Sequence, residues 1–195
     1  MSPLFLLSLG SSILLAILVI LVLIVLYVIS IQRSLIRLQE MTKNTLGQIG
    51  VQVNSRWDAL TQLAKATVAY AKHEHDTLID LIKERRASTI PQTIESINQQ
   101  MHATNSVLDR LFALAENYPD LKANTVYQDM MASIDKYENN VRLQRMVYND
   151  AATRLNNMVR MFPSNLVARM LGFSTIDYFA ADVEKTAMPD LNLER

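Results

Sequence analysis

The chain has 195 residues, half of them apolar, and its 19 basic residues balance its 19 acidic residues. This length predicts one domain, and the balanced charge disfavours binding to nucleic acid. The lack of cysteine excludes disulfides, thiolate nucleophiles and cysteine-bound zinc. Only four glycines and five prolines occur, which favours long helices joined by short turns and predicts an all-α fold.

The N-terminal 32 residues contain no charged side chain, and Ser12 to Ile29 is almost entirely leucine, isoleucine and valine. A helix from Leu4 to Ile31 would be about 42 Å long, whereas the hydrocarbon core of a bilayer is about 30 Å thick. A cleaved secretory signal would instead show a basic start, a shorter apolar stretch and a small-residue cleavage site. We therefore predict a single-pass transmembrane anchor over residues 1–32, with the lipid bilayer as a partner.

The charges that flank this span predict its orientation. Arg33, Arg37 and Lys43 follow the span, whereas only the α-amine precedes it. The positive-inside rule then places the N-terminus outside a bacterial cell membrane and the C-terminal domain in the cytoplasm.

Small residues recur along one face of the anchor. Ser8, Ser12 and Ala16 lie four residues apart, which is the spacing that lets transmembrane helices pack closely. This stripe predicts self-association within the membrane. The alternative is chance, because small residues are common in such helices.

Residues 33–50 keep a helical spacing of apolar side chains and predict a helical stem that continues the anchor. Gly47 and Gly50 interrupt this pattern, and a glycine inside a helix costs about 1 kcal/mol relative to alanine. We therefore predict a hinge near these two glycines.

The first two bundle helices are predicted on either side of a short link. The first runs from about Ile49 to Arg86 and ends in basic residues, which suit a helix C-terminus. Ser88 to Pro91 then reads as a cap and a first-turn proline, which open a second helix ending at Asn117.

The rest of the chain predicts one more long helix and two short ones. Pro119 ends the second helix, and the third begins shortly after Asp120 and stops before Pro163. A short helix capped by Ser164 ends at Gly172, and Ser174 opens another through residue 182.

These elements predict an antiparallel up-and-down bundle of three long helices, completed by short C-terminal helices behind the transmembrane helix. The bundle would span residues 51–188, and residues 189–195 would form an extended tail. Short links favour antiparallel neighbours because they return the chain beside the helix it has just left.

Several motifs together resemble those of the LemA family of bacterial membrane-anchored helical proteins. The resemblance covers Leu35 to about Met188. It is carried by AENYPDLKAN (Ala115 to Asn124), by Glu138, Arg142, Arg145, Tyr148 and Asn149, by MFPSNLVARMLGF (Met161 to Phe173) and by DYF (Asp177 to Phe179).

The resemblance implies a helical bundle on a membrane anchor, without an established enzyme activity. One branch of the family is associated with building intracellular membrane compartments, and genes of the family often lie near those of membrane metalloproteases or TPM-domain proteins, which implies an accessory role. The run Arg56 to Leu63 departs from the family pattern, because it lacks the usual proline and carries Gln62 where asparagine is common.

The run HEHD, from His73 to Asp76, is where metal or acid–base chemistry could begin. It is not an H-E-x-x-H zinc motif, because the second histidine would fall at Thr77. Glu-x-x-His is absent, which excludes a ferritin-like di-metal bundle. A solvated surface is the favoured interpretation, so no catalytic residue, metal site or cofactor is predicted.

Glu74 differs from its neighbours because it shares a helical face with apolar Tyr70 and Leu78. A carboxylate on this face needs a partner, and Arg142 or Arg145 on the third helix could provide it. We predict a structural polar pair that fixes helix register, in preference to a catalytic one.

Aromatic residues mark a candidate interaction surface. It comprises Arg56, Trp57, Phe173, Ile176, Tyr178 and Phe179. The alternative for Trp57 is ordinary packing, and the C-terminal aromatic residues could be buried against the bundle, another subunit or the membrane.

The sequence therefore predicts a membrane-anchored, non-enzymatic interaction or assembly protein. Its partner would be a second copy of the chain or another membrane protein, and no small-molecule substrate is evident. The alternative is a signalling or phosphotransfer-like bundle that relays a change across the membrane through the predicted hinge.

Overall fold

The computed structural model describes the backbone of residues 3–68 and 90–180, with side chains for residues 12–67 and 90–180. These residues form helices and no strand, which confirms the predicted all-α class with a long apolar helix at the N-terminus. The helices are α1 (Pro3–Val68), α2 (Ile94–Asn117), α3 (Pro119–Lys122), α4 (Thr125–Arg160) and α5 (Ser164–Met170).

The apolar part of α1 is bare. Every described side chain from Ser12 to Tyr27 is exposed, and the most apolar 18-residue window has a mean hydropathy of 3.4 with none of it buried. A helix this apolar on all sides is suited to lipid, because water would solvate it poorly. Its length and composition therefore indicate a membrane anchor.

The stem is helical, because α1 continues without interruption through Gly47 and Gly50. The two glycines differ in their surroundings. A Cβ at Gly50 would collide with the carbonyl oxygen of Pro91, whereas a Cβ at Gly47 would meet nothing within 4 Å. Gly50 thus permits a close approach of two backbone segments, and the hinge stays a prediction.

The second long helix begins at a capping box. The Thr93 hydroxyl accepts a hydrogen bond from the Ser96 N–H, and the Ser96 hydroxyl accepts one from the Thr93 N–H. Residues 90–92 are not helical, so the prediction that Pro91 lies in the first turn was wrong. The helix begins later because the reciprocal bonds between Thr93 and Ser96 satisfy the N–H groups of these two residues at its start.

The predicted ends of α2 and α4 agree with the structure. Helix α2 stops at Asn117, before Pro119, and α4 stops at Arg160, before Pro163. The side chain of Asn124 opens α4, since its Oδ1 accepts hydrogen bonds from the N–H groups of Val126 (2.8 Å) and Tyr127 (3.3 Å).

Helix α5 ends as predicted but begins differently. Ser164 is its first residue and not its cap, and the Ser164 hydroxyl donates to the Met161 carbonyl. At the other end Gly172 adopts φ +74°, while Phe173 N–H donates to Ala168 O at 2.9 Å. This pattern is a Schellman cap, which requires the left-handed conformation that glycine adopts most easily.

The described chain separates into two compact units. The first comprises Met1–Met41 and Ala151–Ile176. Its buried core consists of Ile31, Leu35, Leu155, Val167 and Ala168, with Val28, Leu38, Met158, Val159, Phe173 and Ile176 packed against them. In this unit, α5 and the end of α4 therefore pack on the last turns of the apolar part of α1.

The second unit comprises Thr42–Asp150 and Asp177–Arg195. Its buried side chains come from all three long helices. They include Val53, Leu60 and Leu63 of α1, Ile97, Thr104, Leu111 and Ala115 of α2, and Ile134, Val141 and Tyr148 of α4.

Contacts within the second unit also give the direction of its helices. Gly50 lies beside Pro91 and Arg56 bonds to Thr104, so α1 and α2 run in the same direction there. Asn98 accepts a hydrogen bond from Arg145, and Thr104 and Glu138 bind the same Arg56 guanidinium, so α4 runs antiparallel to α2. The expectation that α2 returns antiparallel along α1 is corrected, because the start of α2 lies beside Gly50 instead of beside the end of α1.

Candidate functional site

A buried arginine joins the three long helices of the second unit. The Arg56 side chain, on α1, has no exposed surface. Its Nη1 donates to the Thr104 hydroxyl on α2 at 3.0 Å and lies 3.8 Å from the Met101 sulfur. Its Nη2 donates to Glu138 Oε2 on α4 at 3.4 Å. One guanidinium thus links α1, α2 and α4.

Two electrostatic effects act on the Arg56 guanidinium in opposite directions. Burial lowers the pKa of Arg56, while the carboxylates of Glu138, Asp135 and Asp109 act in the other direction. A guanidinium remains charged in proteins, so the buried cation depends on these carboxylates. The Nε of Arg56 has no hydrogen-bond partner among the described residues, which shows that the cation is held by only part of its donors.

An open pocket of about 580 Å³ lies beside the guanidinium. It is lined by Arg56, His102, Asn105, Ser106, Leu108, Asp109, Arg110 and Glu138. A serine, a histidine and an aspartate occur together here, but nothing in the described structure joins them by hydrogen bonds. Nucleophilic catalysis needs a base that contacts the nucleophile and a third group that orients the base, and the pocket lacks that arrangement.

A second polar cluster in the same unit holds the C-terminal segment. Phe179 is buried between α4 side chains, with the Arg145 guanidinium 5.0 Å from its ring centroid and the Tyr148 ring edge-on at 5.1 Å. Asn149 accepts from the Phe179 N–H and donates to its carbonyl, both at 2.9 Å. The Tyr148 hydroxyl donates to Asp177 O at 3.2 Å, and burial raises the pKa of this tyrosine.

In the first unit, Asn156 holds Ile176 in the same way. Its Oδ1 accepts from the Ile176 N–H and its Nδ2 donates to the Ile176 carbonyl, both at 2.9 Å. These side-chain amides satisfy backbone groups that a helix would have paired internally. Residues 173–180 are accordingly not helical, and the predicted short helix from Ser174 was wrong over this range.

The predicted interaction surface is mostly buried. Arg56 has no exposed surface and Trp57 is only 3% exposed, which corrects the expectation of an exposed pair. Phe179 is also buried, while Phe173 and Ile176 are partly buried in the first unit. Tyr178 remains exposed, at 44%. Whether it contacts a partner stays a prediction.

Glu74 of the predicted polar pair lies outside the described residues, and so does the HEHD run. The structure shows Arg142 exposed and donating to Asn139 at 3.3 Å, whereas Arg145 donates to Asn98 at 2.9 Å. The pair of Glu74 with either arginine therefore stays a prediction.

Sequence reasoning missed the Arg56–Glu138 pair, although a signal for it existed. Arg56 follows Val53 by three residues and precedes Leu60 by four, so it lies on the apolar face of α1. A charged residue in that position predicts a buried cation. The interaction surface was predicted instead because Trp57 is adjacent to Arg56.

Ser12 and Ala16 of the predicted membrane stripe are exposed, and the Ser8 side chain lies outside the described residues. Exposure is what packing against another transmembrane helix requires, but it does not test that packing. The stripe stays a prediction.

Residues 45–193 match the sequence model of the LemA family. The chain belongs to the LemA family. Its match to the family model begins after the apolar part of α1 and includes the whole Arg56 junction. The LemA assignment confirms the resemblance inferred from the motifs.

Curated relatives agree with this assignment. The protein LemA of Metamycoplasma hominis is 27% identical over 156 residues, which are 79% of this chain and 71% of that protein. Magnetosome protein MamQ 2 of Paramagnetospirillum magneticum is 34% identical over 74 residues, 38% of this chain and 27% of its own length. MamQ of Magnetospirillum gryphiswaldense is 30% identical over the same shares. The chain thus spans about a quarter of the magnetosome relatives.

The LemA motifs lie at structural junctions of the described chain. AENYPDLKAN forms the end of α2, α3 and the cap of α4, while MFPSNLVARMLGF forms α5 and both of its ends. In the α4 motif, Glu138, Arg145, Tyr148 and Asn149 make polar contacts with other segments, whereas Arg142 bonds within α4. The family motifs of this chain therefore position helices and the C-terminal segment. Together with the bare apolar helix, they indicate a membrane-associated protein.

Proposed function

We propose that this chain is a membrane-anchored, non-enzymatic interaction or assembly protein whose bundle lies on the cytoplasmic side and binds a second copy or another membrane protein. The observation that carries this proposal is α1 itself. One uninterrupted helix supplies both the bare apolar segment and the buried Arg56 of the bundle core. The same helix thus tethers the bundle to the membrane.

The use of polar groups supports a binding role over a catalytic one. Three of these side chains form hydrogen bonds with other parts of the fold: Arg56 with α2, and Asn149 and Asn156 with the C-terminal segment. The pocket beside Arg56 lacks the contacts of a nucleophile and its base. Such groups stabilise a fixed shape, which a binding surface needs.

The names of the relatives also bear on the proposal. Two of the similar proteins are named magnetosome proteins, and the match to them covers 74 residues. A role for this chain at a membrane compartment is part of the proposal. Arg33, Arg37 and Lys43 follow the apolar segment and no basic side chain precedes it, which supports the cytoplasmic orientation.

Site-specific photo-crosslinking in native membranes tests the proposal. A photoreactive amino acid replaces Tyr178, which is 44% exposed, and a matched control replaces Phe112, which is an aromatic residue 47% exposed on α2. We expect an adduct at Tyr178 that is stronger than at Phe112, either at twice the mass of the chain or with one membrane protein. Equal, diffuse labelling at both positions contradicts a specific binding surface.

Orientation is tested separately with a C-terminal tag. Protease added to sealed cells should leave the tag intact if the bundle is cytoplasmic. Removal of the tag while the envelope remains closed would reverse the proposed orientation without affecting the binding proposal.

A further inference from the structure

The first unit exposes a cluster of large apolar side chains on and around α5, which we term the apolar foot. They are 40–81% exposed. The foot consists of Met161, Phe162, Leu166, Met170 and Leu171. A soluble surface rarely exposes several such side chains side by side, and a contiguous patch of this kind marks an interaction site.

The foot is fixed to the end of the apolar part of α1. The opposite face of α5 buries Val167 and Ala168 in the same core as Ile31 and Leu35. Ile31 is the last residue of the predicted membrane helix, and Val28, inside that helix, packs against the same core. The foot therefore lies at the level where α1 leaves the hydrocarbon.

The conformation of the foot is held by backbone hydrogen bonds. Met161 N–H donates to Asn157 O at 2.8 Å, and Asn165 N–H donates to Met161 O at 2.9 Å. The Schellman cap at Gly172 fixes the other end of α5. Because the backbone is paired on both sides of Phe162, its 79% exposed ring is presented by ordered structure.

The charge around the foot is strongly positive. Residues 151–176 contain three arginines and no acidic residue, and α1 adds two arginines and one glutamate between residues 32 and 41. All five guanidinium side chains belong to exposed residues. They are Arg33, Arg37, Arg154, Arg160 and Arg169. Arginines beside apolar side chains are typical of surfaces that bind anionic lipid.

We infer that the apolar foot inserts into the headgroup region of the bilayer that α1 crosses, with the surrounding arginines against anionic phospholipid. The inference rests on the proposed membrane anchoring and adds a second membrane contact to it. A second copy of the chain is a poorer occupant, because two feet facing each other would bring both sets of arginines together.

The lack of cysteine makes a direct test possible with the full chain. Single cysteines replace Met170 or Phe162 in the foot, Ile20 in the anchor, or Met146 in the other unit, and each carries a nitroxide spin label. Met146 is the matched control, because it is an exposed helical methionine like Met170 (65% and 81%). The labelled chains are reconstituted in phosphatidylcholine vesicles with and without phosphatidylglycerol, and circular dichroism verifies their helix content.

Collision with oxygen, which concentrates in lipid, and with a nickel chelate, which stays in water, reports the depth of each label. We expect Ile20, Met170 and Phe162 positions to favour oxygen and the Met146 position to favour nickel. If the foot positions behave like Met146 while Ile20 lies in lipid, the inference fails and the anchor stands. If Ile20 itself is aqueous, the proposed anchoring fails as well.

Two further readouts separate lipid from other occupants. Strong spin–spin broadening between labels at Met170 would assign the foot to a second copy and overturn the inference. Combining Arg160→Gln with Arg169→Gln should move the Met170 label toward water in vesicles that contain phosphatidylglycerol, and should leave it unchanged in phosphatidylcholine alone. An equal effect in both vesicles would contradict the anionic-lipid contact.

Discussion

Arg56 and Thr104 are joined by a hydrogen bond of 3.0 Å between two helices, and both residues have no exposed surface. The bond fixes one rotation of α1 against α2, because a guanidinium presents its donors in a rigid plane. Glu138 adds α4 to the same junction from a partly exposed position. The register of three helices thus depends on one buried cation and its neighbours.

Substitutions at this junction test how much each partner of the buried cation contributes to the free energy of unfolding. Thr104→Val removes an acceptor and should lower the free energy of unfolding by about 1–3 kcal/mol. Glu138→Gln should cost about 1–3 kcal/mol, less than a fully buried pair, because Glu138 is 38% exposed and partly screened. Arg56→Met removes one partner and leaves the Thr104 hydroxyl and the partly exposed Glu138 carboxylate without their donor, so it should also cost about 1–3 kcal/mol.

Urea unfolding of the full chain in detergent, followed by circular dichroism, measures these differences. Unchanged stability with Arg56→Met would contradict the account, because it would show that the guanidinium does not hold the three helices together. A neutral Thr104→Val would show that Arg56 finds another acceptor.

Two adjacent asparagines on α4 provide a matched pair. Asn156 is buried and bonds to both backbone groups of Ile176, whereas Asn157 is exposed. Asn156→Ala should cost about 1–3 kcal/mol and open the segment around Ile176 to protease, because its backbone groups lose their partners. Asn157→Ala should change stability by less than about 0.5 kcal/mol. Equal cleavage in the two variants would mean that the amide does not hold the segment.

The two glycines of the stem should respond in opposite directions to alanine. Gly50→Ala forces a Cβ against the Pro91 carbonyl and should lower the free energy of unfolding by about 1–3 kcal/mol. Gly47→Ala meets open space and should raise it by about 0.5–1 kcal/mol. If Gly47→Ala stabilises the chain but abolishes its crosslinking to a partner, the predicted hinge gains support. Destabilisation by both would refute the packing explanation for Gly50.

The sequence predicts much of the fold because apolar periodicity and prolines act locally. Asn117 and Arg160 end their helices close to Pro119 and Pro163, as the fixed proline ring requires. The direction of α2 was not predictable, since it depends on the contact between Gly50 and Pro91, which are far apart in sequence. The non-helical segment of residues 173–180 depends likewise on the distant amides of Asn149 and Asn156.

The predicted pair of Glu74 with Arg142 or Arg145 is tested by substitution of Glu74. If Glu74 pairs with the partly buried Arg145, Glu74→Ala should cost about 1–3 kcal/mol, whereas a pair with the exposed Arg142 would be worth about 0–1 kcal/mol. An exposed glutamate would change stability by less than about 0.5 kcal/mol. Thermal unfolding of Glu74→Ala beside Glu74→Gln measures the difference, and wild-type stability in both would reopen the HEHD run as a site.

Membrane anchoring by α1 is the central claim, and three valines of this helix test it most directly. Val19, Val22 and Val51 are 49%, 48% and 51% exposed, but only the first two lie in the apolar segment. Arginine at the centre of a membrane helix costs about 2.5–3.5 kcal/mol. Val19→Arg with Val22→Arg should therefore release the chain from carbonate-washed membranes, while Val51→Arg should leave it bound. Retention of the double variant in the membrane fraction would contradict the account.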